Sequence, residues 1–226
     1  MTKKIFSWLG REFVELSAEA QPGATAAAEA REIFSRCERE LGAVGLSLDH
    51  TVRSRLWGKD RQSRDLGSAE RVRALAGKAR SASSSYIAPE RFDSGAAVAV
   101  DLLAMRPARP GANKILKEYD PPIVPLRYLV YDSVVVLSGV TTVLPTLEEQ
   151  TANILPRIAA SLADAGASWE QVVKMSFYLH RSQKIETMKD LFRKSVTAEI
   201  PEMEFAFVDG YSAAGKLVEI ETTAKI

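Results

Sequence analysis

Along Gln171 to Leu179, QVVKMSFYL, the apolar residues Val173, Met175, Phe177 and Leu179 alternate with Val172, Lys174, Ser176 and Tyr178. That period of two predicts a strand with one apolar face. Upstream, SVVVLSG is a β-branched run closed by Gly139, which reads as a mostly buried strand. Thr146 followed three residues later by Glu149 is a capping-box signature, and behind it Leu147, Ile154, Leu155, Ile158 and Leu162 share one helical face up to Gly166. Pro156 removes one helical hydrogen bond and predicts a bend there. A second helix follows in IETMKDLFRKSV, striped by Ile185, Met188, Leu191 and Phe192, and MEFAFV and LVEIETTA close the unit as two strands. The order is strand, helix, strand, helix, strand, strand. The first half reads the same way, more roughly: REFVELS, a helix from Thr25 to Leu41, TVRSRLW, a helix through Leu66 to Leu75, then SSSYIA and AVAVDLLA.

The likeness of the halves is a repeat. GLSLDHTVRSRLW from Gly45 echoes GASWEQVVKMSFY from Gly166, an offset of 121 that also pairs Leu16 with Leu137, Ser17 with Ser138, Thr25 with Thr146 and Arg36 with Arg157. After a one-residue slip, Val98, Val100, Asp101 and Ala104 match Val218, Ile220, Glu221 and Ala224 at offset 120. Self-similarity on this scale implies a duplicated domain. RPARPGANKILKEYDPP between the halves is rich in proline and glycine and reads as a linker, which divides the chain into domains 1–105 and 122–226 with a linker at 106–121.

Composition narrows the function classes. A net charge of +1 over 226 residues gives no electrostatic reason to expect nucleic acid or an acidic membrane surface. The stretch from Arg53 to Arg80 is basic, but Asp60, Asp65 and Glu70 intersperse it, which is weak support for a ribonuclease. One cysteine, Cys37, excludes an intrachain disulfide, and with only His50 and His180 beside it there are too few soft ligands for a closed zinc site. No metal or cofactor is expected. The cysteine usage reads as a reducing, cytoplasmic setting, and Asp132 interrupts the longest apolar run, YLVYDSVVVLSGV, so no membrane span is expected.

VVVLSG, LADAGASWEQVVKMSFYL and the terminal LVEIETTA, in this element order, resemble the Rid family, also called YjgF/YER057c/UK114 and often labelled endoribonuclease L-PSP. The resemblance covers Asp132 to Ala224 well and reaches the first half through the repeat. It implies an α+β chain of two tandem chorismate-mutase-like domains, each a mixed sheet with two helices packed on one face, and assembly as a homotrimer with ligand clefts between neighbours. The family's best-known activity is hydrolysis of enamines and imines such as 2-aminoacrylate to keto acids and ammonia, while some members cleave RNA or sense ligands.

The family pattern places an arginine on the penultimate strand, where a guanidinium holds the substrate carboxylate by two charged hydrogen bonds. It also places a glutamate near the C-terminus that handles the attacking water. Carried over, Ser138 and Gly139 match the family's Ser-Gly and Glu221 its terminal acid, with Glu219 on the same strand face. Met203 stands where the arginine belongs, Lys189 where an asparagine is expected, and Phe205 shares a face with Met203. In the first half the counterparts are Ser17 with Ala18, and Asp101; Arg80 of the ARS triplet is the candidate substitute clamp, two residues early at offset 121. Glu221 and Arg80 are therefore the catalytic candidates, with Ser138, Gly139, Met203, Phe205, Glu219, Ser17, Asp101 and Lys189 lining the cleft. Taken as residues alone, Glu219 and Glu221 read equally well as the polar face of a strand, and Met203 as core. Two functions stay open: a small-metabolite enamine/imine deaminase, and a non-catalytic ligand-binding protein that has lost its carboxylate clamp.

Overall fold

The computed structural model describes residues 1–23, 25–109 and 111–226. The first half runs β1 (Thr2–Trp8), β2 (Arg11–Glu19), α1 (Ala26–Gly42), β3 (Thr51–Gly58), α2 (Arg61–Ala74), β4 (Ala82–Ile87) and β5 (Val98–Arg106). After β6 (Ile115–Lys117) come β7 (Tyr128–Tyr131), β8 (Val134–Thr141), α3 (Leu147–Asp164), β9 (Val172–His180), α4 (Ile185–Ser195), β10 (Glu202–Val208) and β11 (Val218–Lys225). The sheets order as β1-β2-β5-β3-β4 and β10-β9-β11-β8-β7-β6, so both halves share one topology and β6 adds an edge to the second. Each sheet is mixed, because β4 lies parallel to β3 and β10 parallel to β9 while the remaining neighbours are antiparallel. The chain is an α+β tandem, as its pattern implies.

Local chemistry sets the repeat. Thr25 caps α1 through Ala28 N–H, and Thr146 caps α3 in a full box with Glu149, both at offset 121. The C-caps of α2 and α4, Leu75 and Val196, keep that offset, whereas β4 and β10 begin at Ala82 and Glu202, offset 120. The slip therefore falls between Leu75 and Ala82. Asp132 breaks the apolar run YLVYDSVVVLSGV because the run is two strands, β7 and β8, joined by a two-residue turn at Asp132-Ser133 with φ of 48° and 68°. Leu9-Gly10 makes the same left-handed turn between β1 and β2, at φ of 53° and 73°. β1 escapes the pattern reading because it is an edge strand whose residues are largely exposed, and β6 lies inside the segment read as linker.

Helices cover one face of each sheet. Ile33, Phe34, Cys37 and Leu41 of α1 pack on Leu16, Leu56, Val100 and Leu102, and α3 and α4 bury Ile154, Ile158, Met188 and Phe192 against Leu137, Phe177 and Ile220. The helix-free faces meet each other. Phe13, Val52, Ala82 and Met105 of the first half pack with Leu129, Tyr131, Val134 and Val136 of the second. At the other end Trp57 and Tyr86 pack with Tyr178, Val208 and Tyr211, and Tyr86 stacks on Tyr178 at 4.2 Å between ring centroids. An aromatic pair of this kind contributes about 0.5–1.5 kcal/mol beyond its buried area. Main-chain bonds between Ile87 and the Asp209-Gly210 segment tie the edge of β4 to the second half. Among the described residues no helix is long and apolar enough to cross a membrane.

Candidate functional site

Between the two apolar clusters the facing sheets bury charge. On β3 the alternation that points Trp57 inward also points Arg53 and Arg55 inward, against Glu221 of β11. Arg55 reaches both Glu221 oxygens, with Nη2 to Oε2 at 2.7 Å, and Arg53 Nη1 lies 3.0 Å from Oε2. The Ser84 hydroxyl and, at 3.4 Å, the Tyr86 hydroxyl also donate to Oε1. Glu221 is 1% exposed, and although burial alone would raise its carboxyl, Arg55 and Arg53 outweigh it and hold it at about 2. It is a fixed anion with its acceptor sites filled.

Glu219, two residues earlier on the same face, has the opposite environment. Its side chain lies across Gly139, where a Cβ would come within 2.0 Å of Oε1. Burial pushes its carboxyl up to about 7; Lys216 opposes this, Glu221 adds to it, and Tyr86 and Arg71 oppose it further. The first half lacks this pair, having Ala18 and Ala99 at the matching positions. Gly139→Ala is expected to force Glu219 off the strand and to cost about 1–3 kcal/mol of overpacking in urea unfolding. An unchanged midpoint with an unmoved carboxylate in a crystal structure would contradict that placement.

The first half answers Glu219 with α2, whose Arg64, Ser68 and Arg71 recur at helical spacing on one face. Because β4 is the edge strand, these side chains reach around it: Arg64 Nη1 donates to Ser85 Oγ at 2.8 Å and Arg71 Nη1 to Ser84 O. Arg64 Nε and Ser68 Oγ are buried with no partner. Arg71, 6% exposed, joins none of the ion pairs among the described residues, and burial lowers its guanidinium to about 10. Buried polar groups are normally satisfied, so orphaned donors on one helix face mark a place for an anion. Arg71 also walls a cavity of about 190 Å³ with Ser81, Ser83, Arg80 and Leu126. Ser83 N–H donates to Ser138 Oγ at 3.1 Å, which joins that cavity to the Ser138-Gly139 strand.

The parallel ladders correct one register. Ser54 pairs with Ser83 and Met175 with Met203, so the position equivalent to Met203 is Ser83 rather than Ala82, and Arg80 is three residues early. Arg80 precedes β4 and is ion-paired with Glu118, away from Glu221. The structure thus gathers Ser138, Gly139, Glu219 and Glu221, and sets Arg80 on the wall of the adjoining Arg71 cavity, held by Glu118.

The other candidates form two separate groups. Asp101 accepts from Trp57 Nε1 at 2.7 Å, from Arg91 and from Ser17. Met203, Phe205 and Lys189 line a groove of about 640 Å³ on α4 and β10, with β9 and β11 between it and β8. There Phe205 stacks on Phe177 at 4.8 Å, and Lys189 pairs with Glu186. Sequence reasoning missed Arg53, Arg55, Arg64, Ser68, Arg71 and Tyr86; the available signal was the alternation of 53, 55 and 57 and the helical spacing of 64, 68 and 71. Among the described residues no three His, Cys, Asp or Glu side chains come together as metal ligands.

The family model described as Endoribonuclease L-PSP matches residues 124–226. A chorismatase crystal structure superposes on 98% of this chain and 79% of its own with a TM-score of 0.67 at 16% identity, which shows the two-domain fold. A YjgF/YER057c/UK114 member from Mycobacterium tuberculosis covers 50% of this chain and 100% of its own at 23% identity and a TM-score of 0.44. RidA from Psychrobacter sp. PAMC 21119 covers 53% and 93% at 20% identity and a TM-score of 0.43. No curated protein is similar enough in sequence to stand as a relative. Residues 124–226, a little under half of the chain, match that family model, and because the two halves share one sheet topology the chain is a tandem of two domains of one α+β fold.

Proposed function

We propose that the cleft between the two domains hydrolyses a small carboxylate-bearing enamine or imine to a keto acid and ammonia. The observation that carries this is Glu219: a buried carboxyl poised near neutrality, laid on Gly139, facing the orphaned donors of α2. Arg71, with Ser68, takes over the carboxylate clamp that neither Ser83 nor Met203 provides. With 2-aminoacrylate, protonated Glu219 gives its proton to the methylene carbon, and the C=C pair shifts to leave an iminium at C2. The Glu219 carboxylate then takes a proton from water as the oxygen attacks C2. Returning that proton to nitrogen lets the C–N bond break while the new hydroxyl gives its proton to Glu219, so that ammonia leaves, pyruvate forms and the acid is restored. Glu221 serves as a fixed charge holding the walls together, and Arg80, on the wall of the Arg71 cavity but paired with Glu118, is given no step in the reaction.

A second substrate is suggested by the chorismatase, which carries the same fold across nearly the whole chain. Chorismate bears an enol ether beside a carboxylate, and proton transfer to its methylene carbon is the same first step. The test is release of ammonia from 2-iminopropionate generated in situ, and of pyruvate from chorismate. Turnover of either above the uncatalysed rate is expected; turnover of neither would favour the non-catalytic ligand-binding alternative. Homotrimer formation and a cytoplasmic location belong to the same proposal. The helix-free faces of both domains already cover one another, so a trimer would form on other surfaces, which mass by light scattering reads.

A further inference from the structure

Arg53 and Arg55 border a second cavity between the domains, of about 250 Å³, which shares no lining residue with the one beside Arg71. Two edge strands flank it: β1 turns Lys4, Phe6 and Trp8 toward it, and β10 turns Glu202 and Glu204. Charge on its walls is out of balance in two places. Arg53 and Arg55 share the single carboxylate of Glu221, which leaves one positive charge over, and Arg53 Nε is buried with no partner. Opposite them, Lys174 is shared between Glu202 at 2.7 Å and Glu204 at 2.6 Å, which leaves one negative charge over. Burial alone would raise the Glu204 carboxyl, but Lys174 and Ser176 hold it below its usual value, so it is an anion at neutral pH. Among the described residues no ion pair joins either arginine to either β10 glutamate, and the cavity lies between them.

The fold itself does not require these charges. Lys4 pairs across the β1-β2 ladder with Glu15, another lining residue, where the second half pairs Leu129 with Val136 and buries both against the first half. Glu202 and Glu204 stand where β4 has Ala82 and Ser84. Nor is the lining simply that of a wetted gap, because Phe6 and Trp8 lie in the same wall, packed on Phe13 at 5.9 and 5.3 Å between ring centroids. An apolar wall with a few convergent polar groups is the make-up of a small-molecule site. Opposite charges held apart across a partly desolvated space leave an attraction unrealised until something bridges them.

We infer that this cavity binds a small zwitterion, its carboxylate against Arg53 and Arg55, its ammonium against Glu202 and Glu204, and its carbon skeleton along Phe6 and Trp8. The site stands apart from Glu219 and Arg71 and is independent of the hydrolytic reading. Two matched sets of probes test it: 4-aminobutyrate with butyrate and butylamine, and phenylalanine with 3-phenylpropionate and phenethylamine. Titrated calorimetrically into the intact protein, at least one zwitterion is expected to bind about tenfold tighter than both single-charge members of its set. Glu204→Gln leaves Lys174 and Glu202 in balance, and is expected to remove the zwitterion's advantage while the affinity of the matching acid stays within about twofold. Glu204 is exposed on the edge strand, so that variant folds. Arg71→Met is expected to keep the preference, because Arg71 walls the other cavity. Equal affinity within both sets, a preference that survives Glu204→Gln, its loss in folded Arg71→Met, or no saturable binding would each overturn the inference. Turnover of 2-iminopropionate or chorismate reads the cleft at Glu219 instead, so either proposal can fail without the other.

Discussion

Replacing Glu221 by alanine is expected to lower stability by about 3–5 kcal/mol, because it strands two guanidinium groups between the facing sheets. Arg53 is 5% exposed and its remaining bonds go to the Leu137 and Thr222 carbonyls, which do not neutralise it. Arg55 loses its contacts with both Glu221 oxygens and keeps the face of Tyr178, 5.5 Å from the ring centroid, with Glu204 across the neighbouring cavity. Since the arginines come from one half and the carboxylate from the other, the loss falls on the contact between domains. Urea unfolding is therefore expected to broaden or split into two steps as the midpoint falls. The acid limb reads the same group without mutation. A carboxyl held at about 2 instead of 4.5 contributes stability that is complete above the ordinary value and is lost as pH falls from there through 2. That contribution is about 3 kcal/mol. A decrease of less than about 1 kcal/mol in Glu221→Ala would mean that the pair repays no more than its desolvation.

Much of this architecture was legible in the chain because the elements announce themselves locally. Thr25 and Thr146 cap matching helices, and the alternations of β3 and β9 fall in register, so the duplication and the succession of elements along the chain follow from sequence. The slip was placed only once the ladders aligned Ser83 with Met203, since a one-residue change in a loop leaves no trace in apolar periodicity. What stayed hidden is what one half does to the other. Glu219 and Glu221 alternate with Val218 and Ile220 as a solvent-facing edge would, and Arg64, Ser68 and Arg71 look like the wet side of a helix. They are buried only because β4 ends its sheet against the second half, a fact of tertiary packing that neither half encodes alone. Asp101, the repeat partner of Glu221, shows the contrast: it binds Trp57 and Arg91 of its own domain, and it reaches the second half only as one wall of a cavity of about 250 Å³ shared with Lys174, Glu202, Glu204 and Thr223.

Glu219→Gln is expected to reduce turnover of 2-iminopropionate or chorismate by about 10²- to 10⁴-fold, the range for loss of a general acid–base group, while the Arg71 cavity and hence KM change little. Its pH profile is the sharper readout. With the carboxyl pushed up to about 7, the proton-donating form is present below that pH, so wild-type kcat on chorismate, whose first step is that proton transfer, is expected to decline above it, and the residual rate of the glutamine variant to be flat. Stability must then move in the sense opposite to Glu221. The folded protein keeps the Glu219 proton up to about 7 while the unfolded chain releases it near 4.5, so stability falls as pH rises through that window. The fall is about 3 kcal/mol, and Glu219→Gln should abolish it. With the acid limb set by Glu221, wild-type stability is expected to peak near pH 4.5. A profile flat between pH 4.5 and 7 in the wild type would remove the basis for a neutral Glu219 and for its role as acid. The two glutamates share a strand face and differ in what the first half sets against them: paired arginines fix one as an anion, and burial over Gly139, among cations that do not pair with it, keeps the other protonated.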